Sequence, residues 1–118
     1  MTDTREKLIL QCSPHIQNIG TELISLTPEY WKSFYVRAEV TSAPEDLESV
    51  EVVIRSNEGY GDIVFPSDAL TEPIFRILDE FKNQFRIKVF RCDVFEKDGG
   101  GWGSKTDFKY FDPAAPKS

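Results

Sequence analysis

The side chains best suited to proton transfer, nucleophilic attack and metal binding are scarce in this chain. His15 is the only histidine, so a catalytic triad or a histidine-containing metal site would have to include it. It lies beside the apolar stripe of a predicted helix, where an imidazole on the helix surface is the simpler interpretation. Cys12 and Cys92 occupy apolar positions outside any Cys-x-x-Cys motif. We therefore predict buried free thiols, no cofactor or metal, and no enzymatic activity.

A glycine-rich segment, Gly99-Gly-Gly-Trp-Gly103, also suggests chemistry, because glycine loops can cradle phosphate groups. A phosphate cradle needs a Lys-Ser/Thr sequel and a helix N-terminus behind it, whereas this segment joins two predicted strands. A flexible hairpin tip is the simpler interpretation. Trp102 lies in this segment, and the sequence leaves open whether its ring folds back onto the core or meets a partner.

Protein binding is the remaining chemistry that the side chains support. Polar side chains alternate with apolar ones along two predicted strands, so that one face of each strand is wet. Cross-strand salt bridges would explain the charges on this face, and a docking surface is the alternative, since tyrosine and arginine are enriched at interface hot spots. The residues predicted to bind a partner are Tyr35, Arg37, Glu39, Asp46, Glu48, Glu51, Arg55, Glu58, Tyr60, Asp62 and Trp102.

The first element that must position these residues is an amphipathic helix over residues 4–26. Pro14 interrupts it, because proline cannot donate a backbone hydrogen bond and crowds the carbonyl of Leu10. The chain is either kinked there or broken into two helices, and an unchanged apolar register favours a kink. The apolar residues recur at steps of four and three, at Leu8, Cys12, Ile16, Ile19, Leu23 and Leu26.

An aromatic turn follows, in which Pro28 ends the helical pattern and Trp31 is expected to pack beneath the corner between helix and strand. Alternation predicts a strand over residues 34–40, a second over 50–55 that pairs with it as an antiparallel hairpin, and a short third strand over 62–65. A second helix is expected to begin at Thr71 as N-cap, with Pro73 in its first turn. Its buried stripe is Ile74, Ile77, Leu78, Phe81 and Phe85.

Two further strands are predicted over residues 86–96 and 105–111, with a bulge near Val89 or Phe90 where the apolar register changes. Residues 113–118 form a frayed tail. Amphipathic helices beside strands that have one buried and one solvent-exposed face predict an α+β fold in a single domain, 1–118. We expect a two-layer sandwich in which two helices pack on one face of an antiparallel sheet of about five strands, in the order α-β-β-β-α-β-β.

Composition restricts the function further. The chain has 118 residues, 40% of them hydrophobic, which suffices for one core. Its 20 acidic and 14 basic side chains give a net charge of -6, so it should repel nucleic acid and anionic membranes and attract a basic protein. Acidic residues that could steer such a partner cluster at Glu45, Asp46, Glu48, Glu51, Glu58 and Asp62. Short apolar runs and a polar N-terminus predict a cytoplasmic protein, and a monomer is favoured.

The segment around the first helix-to-strand joint resembles the YezG-like antitoxin family, small cytosolic bacterial immunity proteins. Members of that family pass from an amphipathic helix through an Ile-Pro-Glu-Glu-Trp-like turn into a strand that reads aliphatic-aromatic-Ala-Glu-Val. The matching residues here are Pro28, Glu29, Trp31, Tyr35, Ala38, Glu39 and Val40. Residues 74–81 and 107–112 extend the resemblance over most of the chain, but the hairpin 97–105 has no counterpart in it.

The resemblance implies an immunity protein that binds and neutralises a cognate secreted or contact-delivered toxin. A basic toxin domain, of which a nuclease is one example, would suit the acidic charge. The alternative is an acidic secretion chaperone that binds an effector protein. Such a chaperone would ordinarily end in a helix and dimerise through it, whereas this sequence predicts a strand near its end.

Overall fold

The structure, a computed structural model, describes residues 4–41, 50–81 and 86–110, and within them the fold is α+β. Three helices accompany a four-stranded antiparallel sheet in this part of the chain. The elements are α1 (Thr4–Gln11), α2 (Ser13–Leu26), β1 (Ser33–Val40), β2 (Val50–Ser56), α3 (Asp68–Phe81), β3 (Ile87–Glu96) and β4 (Trp102–Tyr110). None of the described helices is both long and apolar enough to cross a lipid bilayer.

The predicted first helix is two helices, so the kink favoured from the sequence is wrong. Cys12 separates them, with φ -87° and ψ -1°, and its side chain is buried. Pro14 then falls in the first turn of α2, where a missing N–H costs little because the first N–H groups of a helix have no intrahelical partner. The break therefore accommodates Pro14 better than a kink would.

Helices α2 and α3 pack on one face of the sheet, whose strand order is β2-β1-β3-β4. Strand β1 alternates strictly between half-buried and buried residues, as predicted. Its buried residues Phe34, Val36 and Ala38 join Ile19 and Leu23 of α2 in one hydrophobic core. The other face of the sheet is not covered by any described helix, and we call it the open face.

The predicted third strand, over residues 62–65, is reduced to a single antiparallel bridge between Ile54 and Val64. Only one pair forms, so the sheet has four strands among the described residues and not five. The second helix also begins earlier than predicted. Ser67 precedes its first turn, and its Oγ accepts a hydrogen bond from the N–H of Leu70 at 3.2 Å, which makes Ser67 and not Thr71 the capping residue.

The β3–β4 hairpin is longer than predicted, because β4 begins at Trp102 and pairs it with Glu96. Its tight tip explains the three glycines. Gly99, Gly100 and Gly101 all have φ between 84° and 98°, a region in which a Cβ would be strained. The expected bulge is confirmed, since the register of β3 against β4 shifts between Ile87 and Val89. Both Val89 and Phe90 are buried as a result.

Candidate functional site

The open face brings together five of the residues predicted to bind a partner. Tyr35, Arg37 and Glu39 of β1 lie directly opposite Arg55, Val53 and Glu51 of β2. The two glutamates face each other, which is unfavourable for like charges, and Arg37 relieves this by donating a hydrogen bond to Glu39 Oε1 at 2.9 Å. This ion pair lies along β1, whereas the sequence suggested salt bridges between neighbouring strands.

Strand β3 adds a group that the sequence reasoning missed. Arg91 lies opposite Arg37 on β1, and its guanidinium carbon is 3.8 Å from the centre of the Tyr35 ring. Arg91 also donates two hydrogen bonds to the Asp93 carboxylate, both at 3.0 Å. Stacking on the ring and the bidentate ion pair hold this arginine in one orientation. The sequence could have indicated that Arg91 and Asp93 share the open face, because they alternate with the apolar residues Cys92 and Val94.

Asn57 completes this network at the end of β2. Its Nδ2 donates to Asp93 Oδ1 and to Ser33 Oγ, both at 3.1 Å. Burial alone would raise the pKa of Asp93, but the hydrogen bonds from Arg91 and Asn57 outweigh it and lower that pKa below its ordinary value. Asp93 is therefore ionised at neutral pH, and Tyr35, Arg91 and Asp93 form a pre-organised polar centre on the open face.

Three other predicted binding residues lie elsewhere, at the corner between α2 and β1, and two of them make structural hydrogen bonds. Glu58 Oε1 accepts from the backbone N–H groups of Lys32 at 2.7 Å and Ser33 at 3.3 Å. Asp62 Oδ2 accepts from Trp31 Nε1 at 3.1 Å, and the Tyr60 ring stacks on Trp31. The corner thus uses Glu58, Tyr60 and Asp62 to hold the chain together.

The three members of the predicted acidic cluster that the structure describes do not lie together. Glu58 and Asp62 belong to this corner, whereas Glu51 lies on the open face. The other three acidic residues, Glu45, Asp46 and Glu48, lie outside the described residues. The carboxylates of Glu58 and Asp62 are separated from Glu51 because each of the two accepts hydrogen bonds from backbone N–H groups or an indole N–H in its own part of the fold. The density of acidic residues along the sequence does not reveal these tertiary hydrogen bonds.

Hydrogen bonds to Asp62 make the corner sensitive to acid. Side-chain hydrogen bonds from Tyr30 and, to a smaller extent, from Trp31 lower the pKa of Asp62 below its ordinary value of 3.8. A carboxylate with a depressed pKa stabilises the fold above its unfolded pKa, and that contribution is lost as the pH falls through the folded pKa. We therefore expect the protein to lose stability below about pH 4.

Tyr30→Phe should raise the pKa of Asp62 towards 3.8, because it removes the larger of the two donors and leaves the ring in place. An NMR titration of the Asp62 side-chain carbon measures this directly. Tyr60→Phe is the matched control, since Tyr60 is not a hydrogen-bond donor to Asp62, and it should leave the pKa of Asp62 low. Equal Asp62 titration curves for Tyr30→Phe and the unmodified chain would contradict the assignment of that hydrogen bond.

Two large apolar side chains on the segment between β2 and α3 are strongly exposed and were not predicted as binding residues. Ile63 is 74% exposed and Phe65 is 77% exposed. Val64 between them packs against the core and bridges to buried Ile54. Because neighbouring residues in extended chain point to opposite sides, we infer that Ile63 and Phe65 project on the side of the open face. In the sequence, the short apolar run around Val64 is the feature that could have indicated these two side chains.

Continuing the antiparallel register from the single bridge between Ile54 and Val64, we infer that Phe65 lies beside Val53 and Ile63 beside Arg55. Val53, Ile63 and Phe65 therefore form an apolar group at the β2 edge of the open face, which we call the edge patch. It borders the polar centre around Tyr35. An exposed apolar patch rimmed by polar side chains is typical of a protein-interaction site.

Trp102 does not belong to this surface. It starts β4 on the helix side of the sheet, and its ring centre is 5.7 Å from that of Phe34. The ring is 38% exposed and lines a cleft with Ile24 and Trp31. Of the two outcomes left open by the sequence, the folded-back ring is the one observed. Any contact that Trp102 made with a partner would lie on the opposite layer from the open face.

The residues considered for catalysis remain apart. His15 lies in a shallow groove between α2 and α3 with Asn18, Glu22 and Glu72. Burial raises the pKa of the Cys12 thiol to about 11 and that of Cys92 to about 12, so both thiols are protonated and unreactive. Over residues 4–41, 50–81 and 86–110, no group of three or more His, Cys, Asp or Glu side chains could hold a metal ion.

The best-formed functional candidate is therefore the open face with its edge patch, which has the composition of a protein-binding surface. Comparison of the sequence with models of known protein families and with curated proteins gives no match.

Proposed function

We propose that this chain is an immunity protein, which neutralises a cognate bacterial toxin by binding it stoichiometrically. One observation carries the proposal: Ile63 and Phe65 are 74% and 77% exposed beside a pre-organised tyrosine and arginine centre. Burying those two side chains against a partner would release apolar surface from water, which is the main favourable term in protein association.

The polar centre would supply specificity around that apolar contact. Arg91 is held by Tyr35 and Asp93, so little side-chain freedom remains to be lost when a partner binds. Arg37 is similarly tied to Glu39. Interfaces commonly combine an apolar anchor with arginine and tyrosine contacts and a hydrated polar rim. This arrangement supports binding of a folded protein surface.

The acidic net charge of the chain supports a basic toxin as its partner. The whole chain has a net charge of -6, and long-range steering depends on the summed field and not on the contact residues alone. The open face itself carries both signs, with Arg37, Arg55 and Arg91 beside Glu39 and Asp93. We infer that the acidic field accelerates encounter with a basic toxin, while the edge patch and the polar centre supply most of the affinity.

The assignment to immunity, beyond protein binding in general, rests on the resemblance of residues 28–40 to YezG-like antitoxins. Two of the residues that match the family, Tyr35 and Glu39, lie on the open face, and Trp31 forms the corner that begins β1. A secretion chaperone, the alternative, would protect an effector protein without inhibiting it. The two functions differ in what happens to a toxic activity when the partner is bound.

Co-expression tests the proposal. Toxic domains encoded in the genes next to that of this chain should arrest growth when expressed alone, and expression of this chain should restore growth. A catalytically inactive form of the same domain should co-purify with the chain. Co-purification without protection would favour the chaperone, and failure of both protection and co-purification would contradict toxin binding.

A further inference from the structure

The two edges of the sheet differ. At the β2 edge, Val64 forms a bridge with Ile54 and partly covers the strand. At the other edge, β4 runs from Trp102 to Tyr110, and no strand in the described part of the chain pairs with its outer side. A nine-residue edge strand can pair with a strand of another molecule. The side chains of β4 indicate which strand of another molecule would pair with it.

The hydrogen bonds of the hairpin fix which backbone groups of β4 point outward. The N–H of Lys97 donates to the carbonyl oxygen of Gly101 at 2.9 Å, and hydrogen-bonded pairs alternate along an antiparallel ladder. The pairs of Lys105 with Asp93 and of Asp107 with Arg91 are therefore hydrogen-bonded to β3. By the same alternation, the backbone N–H and C=O groups of Ser104, Thr106 and Phe108 point away from β3.

We propose that two copies of this chain pair through β4, antiparallel, about a two-fold axis at Thr106. In this register Thr106 faces its own copy and Ser104 faces Phe108, so outward-pointing backbone groups meet outward-pointing ones. Lys105 of each copy then lies opposite Asp107 of the other. Both side chains are on the open face and exposed, and such non-hydrogen-bonded pairs bring side chains closest.

The charges select this register. Moving the second copy by two residues in one direction places Lys105 opposite Lys105, and moving it by two in the other places Asp107 opposite Asp107 and Lys105 opposite Lys109. Like charges directly opposite are unfavourable. Only the register centred on Thr106 combines full overlap of the two strands with opposite charges at both symmetric positions.

The same register continues a charge pattern already present within one copy. Asp93 pairs with Lys105, and Arg91 pairs with Asp107. Across the proposed interface the row therefore reads Asp93, Lys105, then Asp107 and Arg91 of the second copy, with alternating sign. The two sheets would join into one continuous eight-stranded sheet, with about six backbone hydrogen bonds between copies from Ser104, Thr106 and Phe108. A dimer would replace the monomer favoured from the sequence.

Charge exchange tests this dimer without knowledge of any toxin. Analytical ultracentrifugation should give a dimer for the unmodified chain. Lys105→Asp and Asp107→Lys should each raise the dimer dissociation constant by at least about tenfold, because every dimer contains the pair twice. The double variant should recover the dimer. An equimolar mixture of the two single variants should form a heterodimer, since both of its cross-strand pairs have opposite charges.

Amide hydrogen exchange on the unmodified chain tests the same interface without a substitution. The N–H groups of Ser104, Thr106 and Phe108 should exchange more slowly as protein concentration rises, while those of Lys105 and Asp107, bonded within the sheet, should change less. A monomer at all concentrations would overturn the proposal. So would a dimer that both single variants leave intact, or one whose concentration-dependent protection lies outside β4.

Discussion

Trp31→Ala should cost about 3 to 5 kcal/mol of unfolding free energy, the range for removing a large aromatic side chain from a core. Trp31 is only 1% exposed, lies beside Phe34 and stacks on Tyr60. Its indole N–H is satisfied by Asp62, so the truncation also breaks the corner that joins α2 to β1. Chemical denaturation measures the loss.

Trp102→Ala is the matched control, because both tryptophans pack near Phe34 but Trp102 remains 38% exposed. Its loss should cost about 1 to 2 kcal/mol, since one aromatic contact and part of a ring are removed. Equal destabilisation by the two substitutions, or a nearly unchanged stability for Trp31→Ala, would contradict the role assigned to the corner.

Removal of the edge patch should weaken partner binding while leaving the fold intact. Ile63→Ala and Phe65→Ala together should reduce the affinity for the toxin by at least about 2 kcal/mol, or roughly thirtyfold, as truncation of a hot spot does. Thermal stability should change little, since the two side chains are 74% and 77% exposed. Calorimetric titration of the toxin and a thermal melt measure the two effects.

Leu10→Ala provides the comparison for this double variant. Leu10 is 66% exposed on α1, a helix that contacts α2 on the other side of the sheet, so its truncation tests whether any exposed apolar side chain matters. It should leave toxin affinity unchanged. An edge-patch variant that binds as tightly as the unmodified chain would move the interface elsewhere on the molecule, and the helix side with Trp102 would be the next surface to test.

The sequence predicted most of the fold because the local patterns and the tertiary packing agree. In β1, strict alternation matched the burial found in the structure, and the change of apolar register in β3 correctly located a bulge. The helix boundaries were misplaced where proline geometry or a capping hydrogen bond, and not the apolar pattern, decided where a helix begins. Pro14 fits a new first turn better than a kink, and Ser67 caps α3 ahead of its apolar stripe.

The candidate site was predicted less completely, because it depends on which strands become neighbours. Alternation placed Tyr35 and Arg37 on one face, but only the pairing of β1 with β3 brings Arg91 over Tyr35. The carboxylates of Glu58 and Asp62 look like surface charge in the sequence, whereas they satisfy backbone and indole donors far away along the chain. Composition indicates the types of interaction, and the strand order determines where they meet.

Neutralisation by stoichiometric binding can be measured by titrating a fixed amount of the purified toxin domain with the purified chain and following the remaining toxic activity. We expect a linear loss of activity that ends at a fixed molar ratio, does not depend on incubation time and is abolished by unfolding the chain. Inactivation of excess toxin by a small fraction of the chain, increasing with time, would indicate catalysis and would contradict stoichiometric binding.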